Sequence, residues 1–364
     1  MKVKEITSII EEFAPLSYQE SYDNSGLIVG NSNDVVTGIL ICLDCIESIL
    51  DEAIANNCNM IVAHHPIVFD GLKKLNGKNY IERTVIKAIK NNIAIYAAHT
   101  NLDNVKGGVS FKIAEKLGVK NCQILQPKKS LLSKIITYCP TNKVEEVRQV
   151  MFDAGAGNIG QYDECSFNAQ GIGTFRGKDG TTPYVGETGK FHEEEETKIE
   201  IIVPSYKINK VIESMITAHP YEEVAYDIYE LQNKNQDVGS GVIGDLEIAE
   251  EEIVFLNRLK KDLNTACVRY TDLRGKKIKK VAICGGSGSF LLADAIAAGA
   301  DVFITGDFKY HQFFDAEGKI IIADVGHYES EQYTNELIYE ILNKKIPNFA
   351  IRLTENNTNP VNYL

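Results

Sequence analysis

No apolar run in this 364-residue chain approaches the roughly 20 residues that cross a bilayer as a helix, so no membrane partner is expected. Basic residues are in deficit, 38 Lys and Arg against 50 Asp and Glu, which leaves a formal charge of −12. That balance argues against a clustered basic surface and hence against nucleic acid as a partner. The eight cysteines follow no disulfide framework and suit a reducing, cytoplasmic compartment. Cys42-Leu43-Asp44-Cys45 matches C-x-x-C, yet no second such pair completes a zinc site. It lies in the apolar run from Ile39 to Ile46. Residues three apart on a strand face opposite sides, so two buried, diverging structural thiols are expected.

What the chain does contain can build large cores: 44% of residues are hydrophobic and 24% charged, and the length calls for two or three domains. The segment Met1-Lys2-Val3-Lys4-Glu5 opens an amphipathic helix through Ile6, Ile9, Ile10 and Phe13 and does not read as a signal peptide. Strands are expected over Gly38 to Cys45, Met60 to Ala63 and Ile93 to Ala98, with helices over Glu47 to Asn56 and Tyr80 to Asn91 between them. The C-terminal third repeats this order, with strands over Lys280 to Cys284, Asp301 to Thr305 and Lys319 to Ala323. Laying Cys284 on Cys42 puts Ile304 on Val62, Gly306 on His64 and Asp307 on His65.

Between the two the character changes. A strand (Leu132 to Cys139) and a helix (Lys143 to Ala154) lead into a glycine-rich stretch, Gly155 to Gly189, and an acidic run, Glu193 to Glu196. A strand, a helix, the segment His219-Pro220-Tyr221-Glu222-Glu223 and a last strand follow. This β-α-β…β-α-β order is the ferredoxin-like plan. The expected fold class is α/β: two related α/β/α layered lobes, 1–129 and 237–364, form one core, and a ferredoxin-like α+β domain, 130–236, is inserted.

Met60-Ile61-Val62-Ala63 runs into His64-His65-Pro66. Neighbours on a strand point apart, but where a strand ends the alternation lapses and both imidazoles can face one space. Histidine is the commonest metal ligand, and two buried rings without a metal would each need a polar partner. His327 and Glu331, four apart, converge on one helix face, either as ligands or as an ordinary surface pair. Asp103, four residues past the strand end at His99, either joins such a site or caps a helix beginning near Val109. Together they supply three imidazoles and two carboxylates at or just past strand ends. Mixed nitrogen and oxygen donors suit zinc, iron, manganese, cobalt or nickel better than calcium. Five ligands exceed the needs of one tetrahedral ion and suffice for two divalent ions per chain, with Zn, Fe or Mn foremost. Gly285-Gly286-Ser287-Gly288-Ser289, between a strand and a helix, either docks an anion on its N–H groups or packs as a tight turn. It lacks the lysine of a P-loop.

Five motifs in order resemble the Nif-three-like family: Asp23-Asn24-Ser25-Gly26-Leu27, Ala63-His64-His65-Pro66, His99-Thr100-Asn101-Leu102-Asp103, Gly306-Asp307 with Lys309-Tyr310-His311, and Asp324-x-Gly326-His327-x-x-x-Glu331. Tyr22 stands where many members have tryptophan. The insert resembles a CutA-like or PII-like domain at His219 to Glu223 and Ala225-Tyr226-Asp227. The resemblance implies a toroidal homohexamer and a dinuclear centre, with His65 and Asp103 on one ion, His64 and His327 on the other, and Glu331 bridging. It makes His99, Lys309 and His311 catalytic candidates, as partners of the ligands or as substrate contacts. His192, beside the acidic run, and His219, in the insert, read as structural or surface groups. Many members carry the label GTP cyclohydrolase 1 type 2 homologue. That label implies a metal-dependent hydrolase whose activated water attacks a nucleotide-like substrate, at C8 of a guanine ring for a cyclohydrolase. The alternative is a non-enzymatic metal-handling or regulatory protein.

Overall fold

The computed structural model describes all 364 residues. The chain separates into two compact units, one made of Met1–Pro127 with Asp237–Leu364, the other of Lys128–Gln236. The first unit begins with β1 (Gly26–Val29), β2 (Ile39–Asp44), β3 (Met60–His65), β4 (Ala94–Ala97) and β5 (Lys120–Pro127). The second holds β6 (Leu132–Pro140), β7 (Ser166–Arg176), β8 (Phe191–Pro204) and β9 (Tyr226–Leu231). The chain then returns to the first unit with β10 (Gly239–Glu250), β11 (Arg269–Tyr270), β12 (Ile278–Ser287), β13 (Val302–Gly306), β14 (Ile321–Asp324) and β15 (Ile351–Leu353).

Two sheets make the first unit, in the orders β1-β4-β3-β2-β15 and β11-β14-β13-β12-β10-β5. Within each, three successive strands run parallel (β2, β3, β4 and β12, β13, β14), and an antiparallel strand, β1 or β11, flanks the third. The repeated grammar of the sequence is therefore a repeated topology, and the α/β class holds. Parallel neighbours require crossovers, supplied by the helices Glu47–Ala55, Tyr80–Lys90 and Leu292–Ala297. Covered on both faces, the parallel strands become continuous apolar runs: Ile39–Leu43, Met60–Ala63 and Ile320–Ala323 are all buried. The helix Glu47–Ala55 closes one face by burying Ile49, Leu50 and Ala53.

The lobes exchange edge strands. β5 follows the first lobe in sequence but pairs antiparallel with β10 in the second sheet, while β15 pairs parallel with β2 in the first. Pro127 stands opposite Gly239 at the open end of the β5–β10 pair, where a hairpin turn would otherwise sit. In the second unit the sheet order is β7-β8-β6-β9, with every neighbour antiparallel. Together with the helices Val144–Asp153 and Ile208–Ala218 this is the ferredoxin-like arrangement. Val147, Met151, Val211 and Met215 from the two helices pack on Ile135, Cys139, Ile199, Ile201 and Val203 of one sheet face.

One expectation is corrected. β2 ends at Asp44, so Cys45 lies beyond the pleat and returns to the same buried cluster as Cys42 instead of diverging from it. Both thiols are free, and burial, with a hydrogen bond to Cys45, pushes the Cys42 thiol well up.

Candidate metal centre

β3 carries through both histidines, and their ring centroids still lie only 4.9 Å apart. His64 Nδ1 donates to the Ala98 carbonyl at 2.7 Å, which leaves its Nε2 as an acceptor turned inward. That atom lies 3.7 Å from Asp103 Oδ1 and 3.7 Å from Glu331 Oε1. His65 turns the other way, with Nδ1 2.8 Å from Asp44 Oδ1 and Nε2 2.9 Å from Glu331 Oε2. The short helix His327–Glu331 brings His327 Nε2 to 3.1 Å from its own Glu331 Oε2 and 3.3 Å from His65 Nε2. All five sequence candidates therefore converge. Distances set Asp103 beside His64, which faces one Glu331 oxygen, and group His65 and His327 about the other. This grouping differs from the pairing that the resemblance implies, because His64 and His65 leave the strand on opposite faces. Asp103 ends the four-residue helix Thr100–Asp103 and caps nothing; Gly108 heads the helix Val109–Lys116.

Two atoms here have no partner. His64 Nε2 and Asp103 Oδ1 are both buried without a hydrogen bond, an arrangement that costs free energy unless a cation lies between them. Glycines open the space. A Cβ on Gly286, at φ +61°, would collide with Glu331 Oε1, and one on Gly306 would lie 2.8 Å from the His327 backbone nitrogen. His64, His65 and Glu331 place a donor atom each within 4.8 Å of one another. The residues thus fit a divalent ion by donor chemistry, by orphaned polar atoms and by space.

Electrostatics point the same way. Burial pushes His64 down and keeps its imidazole neutral. Burial also opposes protonation of His65 and His327, yet Asp44 with Glu331 drives His65 up to about 10, and Glu331 with Asp307 drives His327 up to about 11. Asp103 is pushed well above the usual carboxylate range, first by burial and then by the charge on Glu331. A cation relieves each of these tensions.

A second ring of partners orients the imidazoles, and sequence reasoning missed it. Asp44, itself held by the Thr358 hydroxyl at 2.9 Å, fixes His65. Asp307 fixes His327 through Nδ1 at 2.7 Å from a left-handed backbone, φ +60°. No local pattern marks these contacts; the signals for Asp307 were its alignment on His65 and its place in the Gly306-Asp307 motif. His99 does join the cluster, with ring centroids 5.4 Å from His64 and 5.5 Å from His65, and its Nδ1 lies 2.6 Å from Asp23 Oδ1. Against burial, bonds from His99, Thr100 and Ser25 hold the Asp23 carboxyl well below its usual range. The folded state therefore binds fewer protons than the unfolded one. Stabilisation from Asp23 is complete above the unfolded carboxylate pKa of about 3.9 and drains away as pH falls. Asp23→Asn should flatten the acid limb of the unfolding curve; an unchanged limb would refute the assignment.

Lys309 and His311 are not brought in. The left-handed turn at Asp307 sends the chain outward, and both side chains are exposed on the 3-10 turn Tyr310–Ala316 or its cap. The basic group on the cavity is Arg269, which donates to Asp324 and to the Phe308 carbonyl at 3.0 Å. This cavity of about 630 Å³ is lined by His65, His99 and His327 together with Phe69, Tyr328 and Tyr363. The glycine stretch is largely strand, with β12 running through Gly285 and Gly286 to Ser287, and the N–H groups of Gly285, Gly286 and Gly288 are taken by the hydroxyls of Ser110, Ser330 and Thr305.

Duplicated α/β lobes that meet in one histidine and carboxylate centre beside a cavity define the class. The chain belongs to the Duf34/NIF3 (NGG1p interacting factor 3) family, which it matches over residues 1–360. Curated relatives include the GTP cyclohydrolase 1 type 2 homologs of Halalkalibacterium halodurans, 40% identical over 88% of this chain and 87% of that one, and of Bacillus subtilis, 37% identical over 99% and 98%. Among solved structures, a Bacillus cereus protein related to NIF3 superposes with a TM-score of 0.88 at 38% identity, covering 100% of this chain and 99% of that one. No helix is long and apolar enough to cross a membrane.

Proposed function

We propose that the centre holds two divalent ions and serves metal-dependent hydrolysis of a small, nucleotide-like substrate. The observation that carries this reading is the orphaned pair, His64 Nε2 and Asp103 Oδ1, facing Glu331 beside a cavity large enough for a nucleotide. His64 and Asp103 would hold one ion, His65 and His327 the other, and Glu331 both. Such ions supply Lewis acidity, lowering the pKa of coordinated water and polarising an electrophilic carbon or phosphorus.

The chain's own residues do the rest. The Ala98 carbonyl, Asp44 and Asp307 fix ring orientation by accepting the Nδ1 protons. His99, steadied by Asp23, offers Nε2 to move a proton at the cavity wall. Arg269 suits an anionic group, and Phe69, Tyr328 and Tyr363 suit a flat ring. The relatives' label directs the test to GTP. Protein purified without added metal should carry zinc, iron or manganese by elemental analysis, and should release formate from GTP if the reading is right. Two bound ions with no turnover of any nucleotide would favour metal handling instead; absence of metal would end both readings.

Loss of one orienting carboxylate provides a finer check. Asp44→Ala frees the His65 ring and is expected to weaken metal binding by roughly 10- to 100-fold. An unchanged affinity in competition with a chelator would show that Asp44 is idle. The toroid of six copies and a cytoplasmic setting remain the assembly and location we propose; a stable monomer in light scattering at micromolar concentration excludes the toroid.

A further inference from the structure

We propose that the second unit binds a small organic cation, an ammonium carried on an apolar body, in a cavity over the glycines of β7. This site lies wholly within Lys128–Gln236 and encloses about 600 Å³. Its floor is one face of β7, where Ala169, Gly171 and Gly173 follow each other opposite Lys198, Glu196 and Glu194 of β8. A glycine inside a strand weakens it and marks a close approach of something else. At Gly171 nothing in the fold requires one: φ is ordinary, and an added Cβ would meet no atom within 4 Å.

The walls are aromatic. The Tyr221 ring lies 6.4 Å from Phe175 and 6.2 Å from Tyr184. Its hydroxyl donates to Glu196 Oε1 at 2.8 Å, and the other Glu196 oxygen overhangs the floor where a Cβ on Gly173 would strike it. No lysine or arginine pairs with Glu196; Lys198, its neighbour on that face, pairs with Glu200. The frame is fixed: His219, 7% exposed, lies 3.0 Å from the Tyr138 carbonyl through Nε2 and accepts from the Tyr221 N–H through Nδ1 at 3.1 Å. The Glu222 carboxylate accepts from Thr182 N–H and ties down the loop carrying Tyr184. Three features of the sequence that the metal centre leaves unused thus converge here: the glycine-rich stretch, the acidic run and His-Pro-Tyr-Glu-Glu. Arg176 and Lys198 also line the cavity, but Arg176 alternates onto the opposite face of β7 from Gly171 and Phe175, and Lys198 is engaged by Glu200. Glu196, beside Tyr221 with Phe175 and Tyr184 next to it, therefore keeps no paired base and recognises an ammonium by charge and by cation–π attraction.

The test titrates the full chain with choline and with its uncharged carbon isostere, 3,3-dimethylbutan-1-ol, by calorimetry and NMR. Choline should bind saturably at one site, and the isostere about tenfold more weakly or worse. Glu196→Gln should lower choline affinity by a similar factor. Gly171→Leu should abolish binding by filling the floor, while the unfolding midpoint holds or rises. Equal affinity for the isostere, no saturable binding, or wild-type binding by Gly171→Leu would overturn the proposal. So would Gly171→Leu dispersing an assembly of copies while choline never bound, since the cavity would then belong to a second chain.

Discussion

Glu331→Gln is expected to leave the proposed two-ion centre with one ion or none, measured by elemental analysis of protein purified without added metal. Glu331 is 4% exposed and serves three imidazoles, with Oε1 toward His64 and Oε2 toward His65 and His327. The amide keeps the shape but loses the charge and turns one acceptor into a donor, which would face a ring nitrogen. Removing one partner of a buried charged cluster costs roughly 3–5 kcal/mol, so the variant should also melt at a lower temperature. Circular dichroism separates lost ligation from lost folding. A folded variant that retains two ions would sink the shared role of Glu331.

Gly306→Ala should also damage the centre, without replacing any candidate ligand. The new Cβ would lie 2.8 Å from both the Gly326 carbonyl carbon and the His327 nitrogen. Those atoms are backbone, so the turn that presents His327 must move bodily. Gly326 has little freedom to absorb that motion: it adopts φ +95°, and its N–H is bound to Asp324 Oδ1 at 3.0 Å. We expect a loss of about 1–3 kcal/mol in stability, as in overpacked cores, together with weaker binding at the His65 and His327 side. Wild-type thermal unfolding and metal content would show that the turn has slack.

Much of the centre was legible because buried parallel strands write themselves as unbroken apolar runs. Each run ended in a group that had no reason to be apolar: His64-His65 after Met60–Ala63, His99 after Ile95–Ala98, Asp324 after Ile321–Ala323. Spacing alone placed His327 beside Glu331, since four residues make one helical turn. What stayed hidden was non-local. Asp44 reaches His65 across paired strands, Asp23 reaches His99 over 76 residues, and nothing short-range announces either. Lys309 and His311 drew attention for their chemistry, but the left-handed residue Asp307, two and four positions earlier, turned them outward. Three residues of β15 could not outweigh their polar flanks, so the exchange of edge strands also escaped notice.

The place where the second unit joins the chain has its own implication. Pro127 and Gly239 face each other in an antiparallel pair, and Asn235 N–H reaches the Lys128 carbonyl at 2.8 Å, so the second unit closes its own neck. To the six-stranded sheet it is merely the connection of a hairpin. Such a connection can be long at small entropic expense, about 0.6 kcal/mol for each doubling, and less when its ends are already pinned together. The unit is therefore a detachable cassette: one recombination event could splice it in or out at that hairpin tip, and a two-residue Asn-Gly turn grafted in its stead should leave the duplicated core able to fold.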